Sequence, residues 1–129
     1  MRRLAYLLLS CAALATASGC SKNEDATPSG PKEYQIEYKV TSNAVESDYV
    51  SFTNESGGTT TLATTPLPAS YKFKRTMKRG DNLTILASIA GGTAASEITC
   101  AILLDGKEVK KETGRGSSAQ AVPVYVIGQ

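Results

Sequence analysis

The sequence predicts an all-β fold, an antiparallel β-sandwich of about seven or eight strands. Three observations point there. Apolar residues recur with a period of two from residue 33 onward, and no helical period persists anywhere beyond the first 20 residues. The short alternating runs are parted by Gly, Pro, Asn and Asp, the residues that turns require. The 129-residue chain also leaves room for one modest domain with a single core.

The first element, beginning at Glu33, places Tyr34, Ile36, Tyr38 and Val40 on one face and Gln35, Glu37 and Lys39 on the other, as a half-buried strand demands. Shorter strands are expected over Asp48 to Asn54 and Thr59 to Thr64, parted by a turn at Gly57-Gly58. Tyr71, Phe73 and Met77 alternate with Lys72, Lys74 and Lys78 in a fourth strand, and Leu83, Ile85, Ala87 and Ile89 define a fifth. Glu97 to Leu104 carries Ile98, Cys100, Ile102 and Leu104 on one face and Leu103 on the other, which predicts a central strand. Asp105-Gly106 supplies a two-residue hairpin turn, because both residues tolerate positive φ, and Lys107 to Glu112 returns as the polar partner. The last strand spans about Ala121 to Ile127, and Pro123, which lacks an N–H to donate, predicts an edge position or a bulge. Alternating short strands in this number are the pattern of an immunoglobulin-like sandwich.

Ahead of this domain the chain reads differently. Arg2 and Arg3 precede an apolar run from Leu4 to Ala17, followed by Ser18, Gly19 and Cys20. Charged, apolar and small segments in that order make a secretory signal. The small residues directly before Cys20 resemble a bacterial lipobox, with Ala17 where Leu is more usual. Residues 1–19 are therefore expected to be a lipoprotein signal peptide and Cys20 the palmitate-bearing first residue of the mature protein. The run is shorter than the ~20 apolar residues of a spanning helix. Cleavage before Cys11, at Leu8-Leu9-Ser10-Cys11, would leave an apolar segment of only Leu4 to Ser10. Residues 20–32 (CSKNEDATPSGPK) have no apolar period and contain Pro28, Gly30 and Pro31, the composition of a flexible tether. The Lys22-Asn23-Glu24-Asp25 cluster resembles the acidic export tag of surface lipoproteins, although charged linkers are also common in solvated tethers. The reading thus has three parts: signal 1–19, tether 20–32 and sandwich 33–129. Lipid anchoring in a bacterial envelope, at the outer membrane and facing either the periplasm or the surface, follows from it.

Without the signal, 12 basic residues face 12 acidic ones, so no global attraction to nucleic acid is expected. The chain has no histidine, which removes Ser-His-Asp catalysis and most zinc sites, and no paired-cysteine spacing or phosphate-binding glycine motif is present. A two-carboxylate glycosidase is disfavoured by the size of the domain and the lack of tryptophan. The expectation is a protein that is not an enzyme and carries no cofactor or metal. Cys100 sits between Ile98 and Ile102 and reads as a buried, inert thiol. The remaining candidate is a basic group, Lys72, Lys74, Arg75, Lys78 and Arg79. It would serve either as a patch for an anionic lipid or polysaccharide or as a Lys-rich guard on a sheet edge.

Several residues in order carry a family resemblance: Tyr34-Gln35-Ile36-Glu37-Tyr38 in the first strand, Leu67-Pro68 opening a later one, then Cys100-Ala101-Ile102 leading into Asp105-Gly106. Over Tyr34 to Val126 this order resembles the MmpS-type accessory proteins of RND lipid transporters. The resemblance implies a β-sandwich that serves a membrane-embedded transporter as a partner. Ala69 stands where the family has an aromatic residue, and the last strand, Val122-Pro123-Val124-Tyr125-Val126, lacks the cysteine that pairs with the Cys-x-Ile strand there. Family members are usually anchored by an N-terminal helix, whereas this chain would be held by lipid. The other function class compatible with these observations is a surface-exposed ligand-binding or adhesive module.

Overall fold

The structure, a computed structural model, describes residues 30–129; the signal segment, Cys11, Cys20 and the tether as far as Ser29 lie outside the described residues. The strands are β1 (Lys32–Ser42), β2 (Glu46–Thr53), β3 (Thr59–Pro66), β4 (Ala69–Met77), β5 (Asn82–Ser88), β6 (Glu97–Leu104), β7 (Lys107–Arg115), β8 (Gln120–Ala121) and β9 (Val124–Val126). They make two antiparallel sheets: a four-stranded one in the order β4-β1-β6-β7, and a five-stranded one in the order β3-β2-β5-β8 with β9 also on β5. The chain passes repeatedly between layers, so that β4 and β6, distant in sequence, flank β1. The sheets face each other across a single core, which makes the protein an antiparallel β-sandwich as the alternation predicts.

That core is built from the inward parity of each strand. Ile36, Tyr38 and Val40 of β1, Leu83, Ile85 and Ala87 of β5, and Ile98, Cys100 and Ile102 of β6 are all fully buried. A large aliphatic side chain buried this way contributes about 1.5–3 kcal/mol. The centre is aromatic. Tyr38 packs against Phe52 at 5.4 Å and Phe73 at 5.8 Å between ring centroids, and Phe52 stacks on Tyr71 at 4.6 Å. Phe52 comes from β2 and the other three rings from β1 and β4, so this cluster ties the two layers together. The Tyr38 hydroxyl donates to the Thr53 carbonyl at 2.9 Å, adding a polar link across the same gap. Burial pushes this phenol well above its ordinary range, against smaller opposing effects from that hydrogen bond and the Arg75 charge.

Several boundaries differ from the periodicity. The strand expected over Ala121 to Ile127 is split into β8 and β9, giving nine strands among the described residues rather than seven or eight. Pro123 sits at the break, fully buried, its carbonyl accepting from the Ile85 N–H at 3.4 Å. β2 starts two residues before Asp48 because Glu46 and Ser47 pair with Pro66 and Thr65 of β3, and its inward parity slips: Ser47 and Val50 are both fully buried, while Asp48 and Tyr49 between them are exposed. The Ser47 hydroxyl lies 2.9 Å from the Tyr49 carbonyl and 2.8 Å from that of Ser88, which satisfies a polar side chain inside the core. β3 runs on to Pro66 and β7 to Arg115. Asp105 and Gly106 adopt φ of 49° and 82° in the predicted hairpin turn. Asp105 also binds the Gln35 backbone twice, N–H to carbonyl at 2.8 Å and carboxylate to N–H at 2.9 Å, fixing the turn to β1.

Candidate functional site

The five cations of the basic group are not brought to one surface. Lys72 and Lys74 point outward from β4, where each meets a carboxylate of the neighbouring strand, Glu37 at 3.7 Å and Glu33 at 3.7 Å. Glu37 is shared further, with Lys39 at 3.8 Å and the Ser70 hydroxyl at 2.9 Å. Exposed pairs of this kind contribute little stability, but they spend the positive charge locally. Arg75 has the opposite parity. It is half-buried and reaches toward the turn after β2, where a Cβ added at Gly57 (φ +83°) would lie 2.8 Å from Nη2. Lys78 and Arg79 fall in the turn into β5, the Lys78 N–H capped by the Asp81 carboxylate at 3.0 Å and the stem of Arg79 lying against Gly128. Because β4 ends the four-stranded sheet, Lys72 and Lys74 stand along a free edge.

A shallow, open concavity lies elsewhere, on the outer face of the four-stranded sheet. Cross-strand register sets Thr41, Thr99 and Thr113 in one row and Lys39, Ala101 and Lys111 in the next. Small residues at the centre and long ones on either side produce a trough of about 410 Å³, lined by both rows together with Glu97, Glu108 and Arg115. It adjoins a hollow of about 290 Å³ formed by Thr41, Ser42, Asn43, Glu97 and Thr99. Thr99 and Thr113 share a hydroxyl hydrogen bond at 2.7 Å, and Arg115 Nε binds Glu97 at 2.8 Å. This surface offers hydroxyls on its floor, the ammonium groups of Lys111 and of Lys39, which also meets Glu37, on its walls, and two carboxylates, Glu108 and the Arg115-paired Glu97. It suits hydrogen-bonded recognition of a polar group.

Cys100 lies on the opposite, inward face of β6, fully buried and free. Burial pushes its thiol from an ordinary 9.0 up to about 12, against the smaller effect of a backbone hydrogen bond from Ala87 and with a small addition from the Glu112 charge. The unfolded thiol therefore ionises first. Its contribution to stability is complete below the ordinary value and is lost as pH rises toward 12, and the Cys100→Val variant should lose less stability than the parent over that window. At neutral pH the same substitution should cost about 1 kcal/mol in a urea midpoint series. A maleimide should leave Cys100 of the folded protein unlabelled, as peptide mapping would show; rapid reaction at Cys100 would contradict the burial.

Among the described residues no group of three or more His, Cys, Asp or Glu is placed to hold a metal ion. No helix there is long and apolar enough to cross a membrane. No protein-family model matches the chain, and no curated protein matches it.

Proposed function

We propose that the protein is a lipid-anchored, non-enzymatic component of a bacterial cell envelope whose β-sandwich acts by binding another envelope molecule, an RND-type transporter being the partner that the MmpS-like order of motifs implies. The observation that carries the binding role is the trough over β6. Its Thr41, Thr99 and Thr113 hydroxyls and its Lys39 and Lys111 ammonium groups form a polar, partly open surface. The thiol nearest to it is buried on the other face, and the chain has no histidine to act as a base. A ligand-binding module at the cell surface is the second reading, favoured by the same trough, which would accept a hydroxyl-rich or anionic group.

The anchor rests on the Arg2-Arg3 start, the apolar run to Ala17 and the Ser18-Gly19-Cys20 junction. Metabolic labelling with a fatty-acid analogue tests it: the wild-type chain should label and Cys20→Ser should not. Undiminished labelling of Cys20→Ser would move the lipid to Cys11 and shift the start of the mature protein.

A further inference from the structure

We propose that Arg75 is an oxyanion-binding residue, holding a phosphate group, free or on a lipid headgroup, where β4 approaches the turn between β2 and β3. Of the lysines and arginines among the described residues, Arg75 alone is not exposed. Lys32, Lys39, Lys72, Lys74 and Arg115 each meet a carboxylate. Arg75 belongs to none of these pairs, and its Nη1 is enclosed by the protein without a hydrogen-bond partner among the described residues. Enclosing a charged donor is costly unless something compensates it, so the group calls for an acceptor. Its charge also reaches the core, where it opposes the rise at the Tyr38 phenol.

The turn that Arg75 reaches has largely spent its own acceptors. Asn54 Oδ1 accepts from the N–H groups of Ser56 and Gly58, both at 3.1 Å, and from the Ser56 hydroxyl at 2.7 Å. The Asn54 and Gly58 carbonyls accept from the N–H groups of Gly57 at 3.0 Å and of Asn54 at 2.9 Å. Glu55, in the same turn, is exposed and belongs to no ion pair among the described residues. Gly57 makes the room: a Cβ there would lie 2.8 Å from Nη2. The planar, permanently charged guanidinium fork matches two oxygens of one oxyanion, and because its charge is shared by three nitrogens, an anion on the half-open side compensates the enclosed Nη1 as well. Position favours a headgroup phosphate. Arg75 is the cross-strand partner of Tyr34, two residues from Lys32, where the tether joins β1, so it stands at the end of the sandwich nearer the lipid. That choice of source rests on the proposed anchor; the site does not, and it lies apart from the trough.

The test melts the full chain, purified in a neutral detergent, in sodium chloride and in sodium phosphate of equal ionic strength and pH. Phosphate about tenfold above its dissociation constant should raise the melting temperature by about 5 °C or more. Arg75→Met should abolish that rise yet melt no lower than the parent without phosphate, because it removes an uncompensated charge. Arg75→Lys, which keeps the charge but loses the fork, should lose most of the rise, and Lys74→Met, an exposed cation of the same strand, should keep it. Glycerophosphoglycerol, the water-soluble headgroup of phosphatidylglycerol, is the second probe. A rise with it supports the lipid source, whereas a rise with inorganic phosphate alone would overturn that source and leave a free phosphate at the same site. No rise with either probe, or the same rise in Arg75→Met, would overturn the site itself. Neither result bears on the trough, whose occupancy is read separately through Thr99→Arg.

Discussion

Gly114→Ala should be among the most damaging single substitutions in the domain, destabilising it by about 3 kcal/mol or more in denaturant titration. Gly114 lies in β7, where the strand passes directly over β8. A Cβ at that position would overlap the Gln120 carbonyl oxygen and sit 2.7 Å from the Gln120 amide nitrogen. These are backbone atoms, so no side-chain rotation relieves the overlap. Gln120 is held in turn by the pairing of β8 with β5, and next to it the Ala119 carbonyl accepts from the Ile89 N–H at 2.9 Å. Alanine would therefore have to pry β8 off the sandwich, and loss of the β8 pairing should appear in hydrogen exchange of Ser88 and Ile89 before global unfolding. A stable Gly114→Ala protein with unchanged exchange would mean that β7 and β8 do not meet as described.

Tyr38→Ala should cost about 4 kcal/mol, and Tyr38→Phe about 1 kcal/mol. The first removes the ring that joins Phe52 to Phe73 and so opens a cavity between the layers. The second removes only the hydroxyl and leaves the Thr53 carbonyl without that donor. Urea midpoints for the pair separate packing from hydrogen bonding. Near-equal losses would place the weight on the Thr53 link rather than on the aromatic cluster.

The alternation of Tyr34 to Val40 and of Leu83 to Ile89 is strict, so the faces of β1 and β5 are legible in the sequence, as is the Asp105-Gly106 turn. Features that depend on the partner strand are not. The slip of parity at Asp48 and Tyr49 arises because Ser47 turns inward to carbonyls at Tyr49 and Ser88, the second of them 41 residues away. Pro123 announces an interruption, but only its buried place beside Ile85 makes it a break between two strands. The basic group is contiguous in sequence and looks like a patch, yet alternation turns Arg75 inward, and Glu33 and Glu37 become partners of Lys74 and Lys72 only when β1 and β4 pair. The trough is the converse case. Thr41, Thr99 and Thr113 each sit at an outward position that the period of two reveals, but their adjacency depends on β6 crossing back beside β1, which no local signal encodes.

The proposed role is tested most directly by recovering crosslinked complexes from cells that carry the wild-type chain, Cys20→Ser or Thr99→Arg. Thr99→Arg fills the trough with a long side chain at an outward position; it removes the Thr99–Thr113 hydrogen bond, a loss of about 1 kcal/mol that leaves the domain folded. The account predicts that the wild type recovers an envelope partner, with an RND-type transporter foremost. Recovery should fall in Cys20→Ser, because tethering raises the effective concentration at the membrane, and in Thr99→Arg, because the binding surface is obstructed. Recovery of only the free protein, together with full activity of the unanchored chain in a deletion strain, would contradict it.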